Sequence, residues 1–134
     1  MNGTNENTQQ PLALVVDDEL NIREMLCDAL ETYGFLVLTA SDGMEAWELY
    51  QKNEPHIVIS DIYMPKMNGI MLLKQIKERD PRRPVILITG YHHYKQLVDT
   101  AEYPPDGFLS KPFRLNDLFT AISQILGNVA SPGG

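Results

Sequence analysis

The sequence is short of the features that would send a chain through a membrane or onto a polyanion. Cys27 is its single cysteine, which excludes an internal disulfide and fits a reducing compartment. No apolar run approaches the ~20 residues that span a bilayer. The polar stretch from Asn2 to Gln10 lacks the apolar core of a signal peptide, so a cytoplasmic location is expected. Basic residues are scarce, 11 Lys and Arg against 18 Asp and Glu for a net charge of −7. Nucleic acids and anionic membranes both need clustered cations, so neither is expected as a direct partner. An acidic balance suits solubility, basic partners or a cation site. No internal repeat or low-complexity tract interrupts the chain.

What is present is an alternation of short apolar runs with amphipathic stretches. The 134 residues make one domain, expected over 11–127, with a disordered lead-in over 1–10 and a tail or linker start over 128–134. Leu12 to Val16 reads as a first strand. Ile22, Met25, Leu26, Ala29 and Leu30 follow at the spacing of one buried helical face; Cys27 beside them packs, and Gly34 stops the helix. Phe35 to Ala40 is a second strand. Ser41 or Asp42 caps a second helix, in which Trp47 packs and Pro55 marks the end. Ile57 to Asp61 is a β-branched run of the kind buried on both faces of a parallel sheet.

Asn68-Gly69 is a turn signal, after which Ile70, Leu72, Leu73 and Ile76 supply a third helix ending near Arg79-Asp80-Pro81. Val85 to Thr89 is a fourth strand. Tyr94, Leu97, Val98 and Ala101 fit a short fourth helix, stopped by Pro104-Pro105; His92 and His93 read as ordinary surface residues. Gly107 to Ser110 is a fifth strand. Leu115, Leu118, Phe119, Ile122, Ile125 and Leu126 form a last helix, ended by Gly127. Five strand–helix repeats imply an α/β fold, a parallel sheet with right-handed crossovers and helices on both faces.

The strand ends carry the chemistry. Strands one, three, four and five end in Asp17-Asp18, Asp61, Thr89 and Lys111, and a parallel sheet brings all these ends to one edge. Three carboxylates in one crevice repel each other unless a cation joins them. Lys111 supplies one positive charge, and a Mg²⁺ ion would supply two more. Such a site can accept a phosphoryl group, with Asp61 as in-line nucleophile and Thr89, Lys111 and the metal on the equatorial oxygens.

These residues, with the Asp61-Ile62-Tyr63-Met64-Pro65 loop, Asn68-Gly69 and Lys111-Pro112-Phe113, resemble the receiver domain of two-component response regulators over Leu12 to Leu126. The resemblance implies a flavodoxin-like, doubly wound five-stranded sheet of order 2-1-3-4-5. It implies Mg²⁺ held by Asp18, Asp61 and the Tyr63 carbonyl, with Asp17 acting largely through water, and a cis Lys111-Pro112 bond. It implies phosphorylation of Asp61 by a sensor histidine kinase or histidine phosphotransfer protein. Thr89 and Phe108 would then switch the face formed by the fourth helix, fifth strand and fifth helix, 94–126, toward an output domain or partner protein. The resemblance leaves room for a homodimer on phosphorylation. On this reading the chain is a phospho-acceptor and not an enzyme acting on other substrates. A phosphorylation-independent scaffold is the alternative.

Some positions depart from the family pattern. Phe108 lacks the hydroxyl of the tyrosine often found there, and Gly90 stands where alanine is usual. Residues Glu102 to Gly107 carry two prolines in place of a Gly-Ala-rich approach to the last strand. Tyr63 and Tyr91 are bulky beside the attacking water's route, so slow autodephosphorylation is expected. An aspartyl phosphatase would need a second acid where Tyr63 stands. A flavin carrier would need a phosphate loop where Asp17-Asp18-Glu19 would repel one.

Overall fold

A computed structural model of the chain describes residues 10–90, 99 and 101–126. The elements run β1 (Leu12–Val16), α1 (Leu20–Tyr33), β2 (Leu36–Ala40), α2 (Gly43–Asn53), β3 (Ile57–Asp61), α3 (Gly69–Arg79), β4 (Val85–Thr89), β5 (Gly107–Ser110) and α4 (Leu115–Leu126). The Gly127 stop and Tyr91 lie outside the described residues, as does the expected helix over 94–101 apart from residues 99 and 101. All strand pairings are parallel, in the order β2-β1-β3-β4-β5. This is the doubly wound, flavodoxin-like arrangement, whose direction of winding reverses beside β1 and β3. The crevice of such a sheet opens at that reversal, and Asp17 and Asp61 stand at it.

The two-residue period of the strands divides their side chains between two layers. Ala13, Val15, Ile57, Ile59, Ile86 and Ile88 face α1 and α4, where Leu26, Leu30, Leu118 and Ile122 complete one core. Leu14, Val16, Val58, Val85 and Leu87 face α2 and α3, meeting Ala46, Tyr50, Leu72, Leu73 and Ile76. β3 and β4 are buried along their whole length, as their β-branched runs require.

Local signals set the helix ends. Asp42 accepts from the Glu45 N–H at 2.8 Å while the Glu45 carboxylate accepts from Ser41 N–H at 2.9 Å, a reciprocal cap for α2. Asn68 caps α3 through the Met71 N–H at 2.9 Å. Gly34 ends α1 at φ 121°, where its N–H meets the Leu30 and Glu31 carbonyls. Trp47 stacks on Tyr50 at 5.6 Å, the packing role expected of it.

Gly69 has a second duty. A Cβ there would lie 2.3 Å from the backbone oxygen of Asp61, so α3 can start against the end of β3 only without a side chain. Its N–H donates to the Ile62 carbonyl at 2.8 Å. Gly69→Ala should displace the Asp61 backbone and cost the fold about 2 kcal/mol, measurable by urea unfolding.

Candidate functional site

The β1–α1 loop is braced from both ends. Asp17 Oδ1 accepts from the Glu19 N–H at 2.9 Å, and Arg23 donates to the Asp17 carbonyl at 2.7 Å. Asp17 is thereby fully buried while Asp18 is exposed. At the end of β3, Asp61 Oδ1 accepts from the Tyr63 N–H at 3.3 Å, which turns the following loop back over the carboxylate.

Lys111 arrives from the end of β5. Its backbone N–H donates to the Thr89 carbonyl at 2.7 Å, and the peptide bond to Pro112 is cis, as the resemblance implied. Its Nζ lies 3.0 Å from Asp17 Oδ2, 3.1 Å from Asp61 Oδ2 and 3.1 Å from Glu19 Oε1. Hydrogen bonds join it to Asp61 and Glu19. Asp17 Oδ2, buried, pairs with the ammonium by charge and has no hydrogen-bond donor among the described residues.

An open pocket of about 420 Å³ lies over this cluster, lined by Asp18, Glu19, Asp61, Tyr63, Gly90 and Lys111. Oxygens of Asp17, Asp18 and Asp61 come within 4.8 Å of one another, a spacing one cation could bridge. An all-oxygen donor set suits a hard divalent ion such as Mg²⁺, and the Asp17 oxygen without a hydrogen-bond donor marks a position that a metal-bound water would satisfy. Thr89 is fully buried beside this pocket at the end of β4. Phe108 is half-buried against the core layer shared with α2 and α3. The structure brings Asp17, Asp18, Asp61 and Lys111 together, and it adds the reach of Glu19 to Lys111, which the sequence did not show. Glu19 read only as one more acid of a loop.

The electrostatics follow from crowding. Burial first, then the neighbouring Asp17 charge, raise the pKa of the Asp61 carboxyl above the ordinary carboxylate range, with Lys111 opposing. For Lys111, burial disfavours the ammonium, but Asp17, Asp61 and Glu19 outweigh it and the pKa rises. An acid whose pKa rises on folding favours the fold at low pH, and that contribution is lost as pH climbs through the folded value. Ionised Asp61 is thus a burden on the fold at neutral pH. Asp61→Asn should raise Tm at pH 7 by roughly 3 °C in metal-free buffer. The gain should shrink as pH falls toward ~4, and Mg²⁺ should stabilise the native chain more than the variant.

A flavodoxin-like sheet with an acidic, lysine-bridged pocket at its winding reversal defines a class of proteins, and comparison with known proteins narrows it. Residues 13–123 match the response regulator receiver domain family. Regulatory protein AtoC of Escherichia coli is 36% identical over 113 residues, 84% of this chain and 24% of AtoC. A receiver domain protein from Clostridium thermocellum superposes with a TM-score of 0.81 at 31% identity, covering 89% of this chain and 96% of that one. Response regulator protein TrrA from Thermotoga maritima, solved in complex with Mg²⁺ and BeF, gives 0.79 at 33% identity, covering 87% and 99%. The chain belongs to the response regulator receiver domain family of two-component systems. It spans between about a quarter and about half the length of the curated relatives it matches. Among the described residues, no helix is long and apolar enough to cross a membrane.

Proposed function

We propose that this receiver domain accepts a phosphoryl group on Asp61 in a Mg²⁺-dependent reaction, from a sensor histidine kinase or a histidine phosphotransfer protein. The observation that carries the reading is the Asp61 carboxylate at the end of β3, open to the pocket and 3.1 Å from the Lys111 ammonium. A carboxylate oxygen attacks phosphorus in line; the P–O bond forms as the P–N bond of a phosphohistidine breaks, and the imidazole leaves with a proton. Positioning and charge do most of the work in such a transfer. Lys111 pairs with the arriving equatorial oxygens, and Thr89, buried beside the pocket, contributes its hydroxyl. Asp18, Asp61 and the Tyr63 carbonyl would hold Mg²⁺, with Asp17 acting through water. The ion supplies charge neutralisation when bound.

Tyr63 lines the pocket mouth and shields the acyl phosphate from water, so the phosphorylated form is long-lived. Catalysis extends only to the domain's own phosphorylation and slow dephosphorylation. Thr89 and Phe108 relay the change to the surface over 94–126, where an output domain, a partner protein or a second copy binds. The relative crystallised with Mg²⁺ and BeF supports the metal and phosphoryl reading by likeness.

The test is intact-protein mass after incubation with acetyl phosphate and Mg²⁺. One hydroxylamine-labile phosphoryl group is expected on the native chain and none on Asp61→Asn or without metal. No gain, together with no response to beryllofluoride, would favour a phosphorylation-independent scaffold.

A further inference from the structure

Glu19 occupies the N-cap of α1 in extended conformation (φ −93°, ψ 121°), yet its side chain makes no cap hydrogen bond. A carboxylate at that position ordinarily turns to the unpaired N–H groups of the first helical turn, and no other acid in that turn replaces it. The side chain instead reaches across the pocket mouth to Lys111, 92 residues away, at 3.1 Å. It does so although it is 63% exposed. It also takes an ammonium hydrogen bond that the buried Asp17 Oδ2, only 3.0 Å from the same nitrogen, lacks.

We propose that Glu19 is a positioning residue, a latch that holds Lys111 away from the place of an arriving phosphoryl group. The inference rests on the phospho-acceptor reading and adds a control to it. An ammonium has three protons to donate, and Lys111 already faces three carboxylates. Two of its protons go to Asp61 and Glu19, and Asp17 Oδ2 crowds the nitrogen at 3.0 Å, so a phosphoryl oxygen arriving from the pocket displaces one of the three. Asp17 and Asp61 are buried and anchored by backbone N–H groups, so leaving them is costly. The exposed Glu19 is the cheap partner to lose. Each phosphorylation therefore begins with release of this ion pair, and Glu19 sets how readily Lys111 becomes available.

The test is the affinity of the full chain for beryllofluoride at saturating Mg²⁺, by titration calorimetry, for the native chain, Glu19→Gln and Glu19→Asp. Aspartate keeps the charge but is too short for the pair, so it separates a latch from a general field effect. Both variants should bind about two- to fivefold more tightly, the range that loss of an exposed ion pair supports. Equal affinity in all three overturns the latch, and so does tightening in Glu19→Gln alone, which would report the charge at the pocket mouth. A native chain that binds no beryllofluoride overturns the phospho-acceptor reading itself.

Discussion

Asp106→Ala should destabilise the fold by about 3–5 kcal/mol, because it strands a buried ammonium. Lys77 is only 6% exposed. It lies inside a ring of acceptors: Asp106 Oδ2 at 2.7 Å, the Arg83 carbonyl at 2.6 Å and the Pro81 carbonyl at 3.3 Å. The same Asp106 oxygen accepts from the Val85 N–H at 2.8 Å, while the Asp106 N–H donates to the Val85 carbonyl at 2.8 Å. One residue thus ties α3, the start of β4 and the approach to β5. Alanine removes the counter-charge and leaves the Val85 N–H unpaired together. Asp106→Asn keeps an acceptor of the same shape and should cost less, about 1–2 kcal/mol. Urea unfolding of both variants measures the difference. Equal losses would mean that the counter-charge is the whole effect and that the hydrogen bond to Val85 adds nothing.

Lys111→Met should weaken the fold by about 3 kcal/mol in metal-free buffer and reduce phosphoryl incorporation ~100-fold or more. The ammonium is shared by Asp17, Asp61 and Glu19. Methionine keeps the length of the stem and removes the charge, so the two buried carboxylates face each other without it. The stability loss should be largest near pH 7 and fade on acidification as the carboxyls protonate. Mg²⁺ should restore much of the stability by mass action but little of the transfer, if Lys111 pairs with the phosphoryl group as proposed. Thermal unfolding with and without Mg²⁺, beside intact mass after acetyl phosphate, separates the two effects. Full transfer in the variant would remove Lys111 from the mechanism.

The two cases differ in how visible they were. Lys111 was legible because it ends a strand, as Asp17, Asp61 and Thr89 do, and parallel topology forces strand ends to one edge. Asp106 carries no such mark. It sits in a proline-rich approach to β5 that reads as a stiff loop, and its partner Lys77 reads as part of the polar face of α3. The burial of Lys77, like that of Tyr50 with its hydroxyl on Asp80 at 2.5 Å, depends on how closely α3 settles on the sheet. That hydroxyl's pKa is pushed up to about 12, first by burial and then by its bond to Asp80, a structural consequence with no trace in local pattern.

Periodicity, capping residues and the residues ending each strand determined the parallel α/β fold, the helix limits at Gly34, Asp42 and Asn68, and the identity of the acidic pocket. These are local properties: a two- or 3.6-residue repeat and a cap involve neighbours along the chain. Tertiary structure alone decided that Asp17 is buried and Asp18 exposed, that Gly69 must lack a side chain beside Asp61, that Asp106 neutralises Lys77, and that Glu19 leaves its helix for Lys111. Each of those depends on the distance between elements far apart in sequence, and that distance is set only when both faces of the sheet are packed.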